Sequence, residues 1–204
     1  MAEFRAMPVG SYATNCIVLW SGDDVAIVDP GQDADVILSF MEDHGLVPRC
    51  ILLTHGHFDH IGGIPGILAK YDGLPVYIHP SDLVMLGHPM NCNPPDYPGI
   101  GRPQTLRDVR DVPKDFPGLG LSVLETPGHT PGSVCLKTGD LLLSGDTLFA
   151  GSCGRTDFPG GSMAAMRKSL SLLAQLPPET TVVAGHGPAT TIAQEVAHNP
   201  FIER

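Results

Sequence analysis

The chain alternates short apolar runs with polar, glycine-rich punctuation. Residues 16–20, CIVLW, and 25–31, VAIVDPG, are apolar runs split by SGDD, a spacing that predicts a β-hairpin. Residues 33–45 carry apolar positions at helical spacing and close on Gly45, which predicts a helix. CILLT, residues 50–54, is a fully apolar run of the kind buried between two layers. A second helix is expected over IPGILAKY and another strand over residues 75–79, PVYIH. The pattern then lapses. Residues 80–118 include HPMNCNPPDYPGIGRPQ, dense in Pro, Gly and Asn and without an apolar period. They predict a long loop insertion, either a lid or pocket wall or a mobile surface segment. Strands return at 121–128, 133–139 and 141–147. An amphipathic helix is expected over 161–176, with Ser162 as its N-cap. A strand at 181–188 runs into a glycine turn, and TIAQEVAHNP forms a last helix stopped by Pro200.

Strand-rich halves with helices between them predict an α/β layered fold. No fixed-period repeat and no linker divide the 204 residues, so one domain spanning 1–204 is expected, with the insertion around 80–118. The net charge of −10, with its 12 Lys and Arg scattered, argues against a nucleic-acid or anionic-lipid partner and leaves a small molecule. The N-terminus lacks a basic region followed by an apolar stretch, and no apolar run is long enough to span a bilayer. Five well-separated cysteines without a C-x-x-C pair fit reduced thiols. Together these features predict a cytoplasmic protein. Cys16, Cys50 and Cys135 lie in apolar runs and are expected to act as small buried hydrophobes.

The chemistry concentrates in THGHFDHIGG, residues 54–63. His55 and His57, two apart, project to one side of an extended backbone. Asp59 and His60 follow at a turn that Gly62 and Gly63 would permit. Crowding these groups without a partner costs repulsion or unpaired desolvation. A divalent cation removes that cost, because neutral imidazole and carboxylate are its natural ligands. Three further segments end an apolar strand in a residue of ligand type at a small-residue turn: TPGHTPGS with His129, LLLSGDTLF with Asp146, and VVAGHGP with His186.

HGHFDH, PGHTPGS, SGD and AGHGP, in this order, resemble the metallo-β-lactamase superfamily over nearly the whole chain. The resemblance implies a four-layer αββα sandwich with a dinuclear metal site at its edge. It assigns His55, His57 and His129 to one ion, Asp59, His60 and His186 to the second, and Asp146 to a bridge. Asp59 and Asp146 are its catalytic carboxylates. Two divalent ions are implied, zinc by the donor types, with iron or manganese also compatible. Such ions lower the pKa of water towards ~7 and hold a bridging hydroxide that attacks a polarised carbonyl.

LFAGSCGRTDFPGGS, residues 148–162, resembles the glyoxalase II-type branch, that is, hydroxyacylglutathione hydrolase-like thioesterases in a short, single-domain form. Arg155 and Asp157 would pair to brace the turn beside the metals, without touching substrate. The resemblance implies hydrolysis of a glutathione-type thioester. Larger members carry a C-terminal helical domain that contacts glutathione, and the 18 residues after His186 are too few for one. CGRTDF is shared with persulfide dioxygenases, which implies as the alternative one iron on His55, His129 and Asp146. A non-catalytic metal-binding module is the reading from outside enzymes. Among the other histidines, His44 and His198 are expected at helix C-termini, and His79 and His88 beside the pocket.

Overall fold

The computed structural model describes residues 2–202. Two sheets pack face to face. The first holds Glu3–Val9 (β1), Thr14–Ser21 (β2), Asp24–Val28 (β3), Cys50–Leu52 (β4), Val76–Ile78 (β5) and Leu106–Asp108 (β6), in that spatial order. β1, β2 and β3 are antiparallel neighbours, and β3 to β6 run parallel. The second sheet comprises Leu121–Glu125 (β7), Val134–Thr138 (β8), Leu141–Gly145 (β9), Thr181–Ala184 (β12) and Thr190–Thr191 (β13), ordered β13-β12-β9-β8-β7. Leu148–Phe149 (β10) and Ser152–Cys153 (β11) form a separate small ribbon.

Strand periodicity sorts the apolar residues into three layers. Cys16 and Val18 of β2, Val25 and Ile27 of β3, and Val76 and Ile78 of β5 face helices Ala34–Asp43 (α1) and Ile64–Lys70 (α3). Their alternates Ile17, Leu19, Ala26, Val28 and Tyr77 point the other way and meet Val134, Leu136, Leu141 and Leu143 between the sheets. Cys135, Leu142 and Val182 face outward again, onto Met163–Leu173 (α5) and Ile192–His198 (α6). A strand apolar on both faces is buried on both faces, and that requires helices outside each sheet. The result is the αββα sandwich. Cys16, Cys50 and Cys135 are fully buried within it, as small hydrophobes.

Local signals end the helices where expected. The Ser162 hydroxyl accepts from the Ala165 amide at the start of α5, and Thr191 does the same for Gln194 at the start of α6. His44 closes α1, its Nδ1 donating to the Phe40 carbonyl at 2.8 Å, and His198 ends α6. No helix among the described residues is long and apolar enough to cross a membrane.

Two expectations change. Residues 80–118 are more than a loop: they contain the edge strand β6 and a helical turn, Val112–Asp115 (α4). A three-residue strand with one exposed face leaves no apolar run to recognise. β1, mostly exposed, escapes notice for the same reason. Asp59 and His60 also sit otherwise than expected, inside a one-turn helix, Phe58–Ile61 (α2). Gly62 and Gly63 have ordinary helical backbone there. Glycine is needed for closeness instead, because a Cβ on Gly62 would lie 2.4 Å from the Gly31 carbonyl oxygen.

Candidate metal centre

All seven predicted side chains converge at one edge of the sandwich. β4 runs out into His55 and His57, and α2 presents Asp59 and His60 directly afterwards. Across the interface, Asp146 follows β9, His186 follows β12, and His129 lies in the loop between β7 and β8. Backbone bonds hold the two sheets in register here. The Val134 amide donates to the Thr54 carbonyl at 2.8 Å, and the Asn15 amide to that of Gly185 at 2.7 Å. Small residues make the approach possible. A Cβ on Gly185 would stand 2.2 Å from Asp146 Oδ1 and 2.7 Å from the His60 ring.

Donor atoms of His55, His57 and His129 lie within 4.8 Å of one another, and so do those of Asp59, His60 and His186. Asp146 stands between the sets. Its Oδ2 is 3.5 Å from His129 Nε2, while Oδ1 is 3.4 Å from His60 Nε2 and 3.7 Å from His186 Nε2. Asp59 Oδ2 is 3.3 Å from His186 Nε2. At the centre, His55 Nε2, His60 Nε2 and Asp146 Oδ1 are buried and make no hydrogen bond among the described residues. Native proteins rarely strand buried polar atoms, so converging orphans of ligand type fit a cation. His57 Nδ1 and His129 Nε2 face each other at hydrogen-bond distance, 2.8 Å, both nitrogens of ligand type.

The surrounding bonds choose which nitrogen of each ring looks inward. His129 Nδ1 donates to the Arg155 carbonyl at 2.7 Å, and His186 Nδ1 to the Tyr12 carbonyl at 3.0 Å. His60 Nδ1 donates to Asp29 at 3.0 Å, and His55 Nδ1 meets the Thr54 hydroxyl at 3.1 Å. Thr54 in turn donates its hydroxyl and its amide to the same Asp29, at 2.6 and 2.8 Å. Asp29 is close enough to His55 and His60 to count as a ligand. Its oxygens are spoken for by these bonds, so it positions the candidate ligands and does not join them.

A second buried carboxylate plays the matching part on the other side. Asp82 accepts from Thr130 Oγ1 at 2.6 Å, from the Gly132 amide at 2.7 Å and from the Gly56 amide at 3.2 Å. It therefore ties the His55–His57 loop to the His129 loop. Burial raises its pKa against these hydrogen bonds. Neither Asp29 nor Asp82 was identified as a site residue from the sequence. The aspartate ending VAIVDPG was visible as a parallel to LLLSGDT, but Asp82 lies in the patternless segment. The Tyr12 and Arg155 carbonyls leave no side-chain signal at all.

Electrostatics divide the cluster. Burial and the neighbouring imidazoles push the His55 pKa well below its usual value; burial, then His129, takes His57 down to about 4. Burial works the same way on His60, but Asp146 and Asp29 outweigh it and hold this imidazole well above the usual range. Burial would raise Asp146, yet His60, His129 and His186 keep it at about 2. The Arg155–Asp157 pair forms as expected, with two bonds of 2.7 Å, and both side chains stay exposed. Beside His57 opens a cavity of about 530 Å³ whose wall includes His88. His79 is not on that wall; its Nε2 is 3.8 Å from Glu125.

Among proteins of known sequence, the chain is 38% identical over 206 residues to a probable metallo-hydrolase, YqgX, of Bacillus subtilis, covering 98% of this chain and 97% of that one. It is 31% identical over 208 residues to the hydroxyacylglutathione hydrolase GloC of Haemophilus influenzae, with 98% of each covered. The solved structure of TTHA1623 in a di-iron-bound form superposes with a TM-score of 0.85 at 36% identity, over 97% of this chain and 100% of that one. Residues 9–186 match the family model of the metallo-beta-lactamase superfamily, and with its four-layer sandwich and histidine–aspartate cluster this chain belongs to that superfamily.

Proposed function

We propose that this chain is a dinuclear metal-dependent thioester hydrolase of the glyoxalase II type. The observation that carries the proposal is the placement of Asp146, whose two oxygens face two separate ligand sets across 3.4–3.7 Å. That geometry suits a bridge. His55, His57 and His129 would hold one ion and Asp59, His60 and His186 the other, with zinc the ion best matched to these donors. When bound, two such ions lower the pKa of water and polarise a carbonyl.

The protein's own groups do the rest. Asp59 is placed to orient an attacking water and accept its proton, while Asp146 would hold the two ion sites together. Asp29 and the Tyr12 and Arg155 carbonyls keep the imidazoles' free nitrogens pointed inward. In the reaction the water oxygen bonds to the acyl carbon, the C–S bond breaks with its electron pair on sulfur, and the thiolate takes the proton. A carboxylic acid and a thiol result, with no change of oxidation state. The likeness to GloC supports the thioester reading.

Metal analysis of the purified protein, coupled to thiol release from S-lactoylglutathione, tests it. Two ions per chain with metal-dependent thiol release are expected. Two ions without hydrolysis of any thioester would discard the substrate class. A single iron per chain, with oxygen uptake on a glutathione persulfide, would replace this proposal by the dioxygenase reading.

A further inference from the structure

Val84, Met85, Met90, Pro131 and Phe158 give the cavity beside His57 much of its apolar wall, with His88 and Asn91 among its polar lining. Val84 and Met90 are 69% and 83% exposed, so large apolar side chains stand uncovered at the mouth of the site. Exposed apolar groups grouped at a cavity mark a surface meant to be covered by something apolar.

No lysine or arginine lines this cavity among the described residues. The nearby guanidinium of Arg155 lies 3.8 Å over the Phe158 ring and is bonded twice to Asp157. Asp82, the carboxylate on the wall, spends its oxygens on Thr130, Gly132 and Gly56. An anionic group on this wall would meet no lysine or arginine and a chain of net charge −10. Biological thiols of the peptide and nucleotide kinds carry carboxylates or phosphates. The acyl chain is the part of a thioester that is apolar and uncharged.

We infer that this cavity seats the acyl chain, so that the preferred substrates are thioesters of apolar acyl groups, with the thiol half directed to solvent. This rests on the thioester reading above and names its substrate class. The selectivity follows from burial, since each methylene moved from water into an apolar cavity adds about fourfold to kcat/KM.

The test is a series of S-acylglutathiones with one thiol and a varied acyl group: acetyl, butyryl, hexanoyl and lactoyl, hydrolysed by the metal-loaded protein. kcat/KM should climb about fourfold per methylene from acetyl to hexanoyl, with lactoyl below butyryl. Met90→Ser and Val84→Ser should each lower the hexanoyl-to-acetyl ratio at unchanged metal content. A flat series, or lactoyl ahead of hexanoyl, overturns the inference and leaves thioester hydrolysis standing. If no member is hydrolysed, the thioester reading fails and the cavity is read directly, by calorimetry of alkanethiols on the metal-loaded protein. Affinity rising with chain length would keep the apolar subsite, and equal affinities would remove it.

Discussion

Three imidazoles, from His55, His57 and His129, make one half of the cluster, while the other half, Asp59, His60 and His186, contains a carboxylate and rests on a second one, Asp29. The difference shows in how each half is held. In the first, burial lowers the pKa of His55 and His57 and so disfavours their charged forms. Their geometry comes from the scaffold, through Asp82 and the loops it ties together. In the second, opposite charges hold the groups to one another. His60 lies between Asp29 and Asp146, and His186 lies against Asp59. Both halves rest on an external frame, but the second adds an attraction between opposite charges that the three imidazoles of the first lack.

The largest effect that tests this comparison is at the shared residue. Asp146→Ala should disable both halves, lowering metal content at each and turnover by about a thousandfold or more, roughly 4 kcal/mol of barrier. A variant that retained two ions and full activity would break the idea of a bridge. Next come the two supporting aspartates, best compared as asparagines. Asp29 has positive φ, a conformation that asparagine tolerates. Asp29→Asn should weaken the Asp59–His60–His186 half by about 10–100-fold in metal affinity, and Asp82→Asn the three-histidine half by a similar factor. Stepwise cobalt titration followed by absorbance reads the two halves separately. Equal losses at both halves in both variants would erase the distinction drawn here.

A smaller effect is pH-dependent and belongs to the metal-free protein. His57 titrates near 6.5 when unfolded and at about 4 when folded. Between these values the unfolded chain binds the extra proton, so stability falls as pH drops through that window. The slope attributable to His57 is at most about 1.4 kcal/mol per pH unit. His57→Asn should therefore show a shallower loss between pH 6.5 and 4 in denaturant midpoints. His60 has the opposite sign: its pKa is raised in the fold, so its contribution is present at low pH and is lost as pH rises past its folded value. If His57→Asn had the same slope as the parent chain, the electrostatic split between the halves would be wrong.

The candidate ligand residues were legible because strands are delivered to one edge by strong local signals. CILLT, LLLSG and TVVA are short apolar runs, and each ends in glycine- or proline-rich chain that frees the next polar residue. Two supporting features were hidden for different reasons. Asp82 sits where edge position and short strands leave no apolar period, in the very segment whose role stood open between pocket wall and mobile insertion. The Tyr12 and Arg155 carbonyls act through backbone, which every residue has.

The amino-acid order alone determined which strands are buried on both faces, where the helices start, and which side chains have metal-ligand chemistry. These follow from periodicity, capping and residue type, all properties of neighbours along the chain. The tertiary structure decided which oxygen of Asp146 faces which histidines, which nitrogen each ring turns inward, that Asp29 and Asp82 brace the two halves, and that an apolar cavity without a lysine or arginine adjoins His57. Those depend on distances between segments up to 174 residues apart, as between Tyr12 and His186. Only the closing of the two sheets on each other sets such distances.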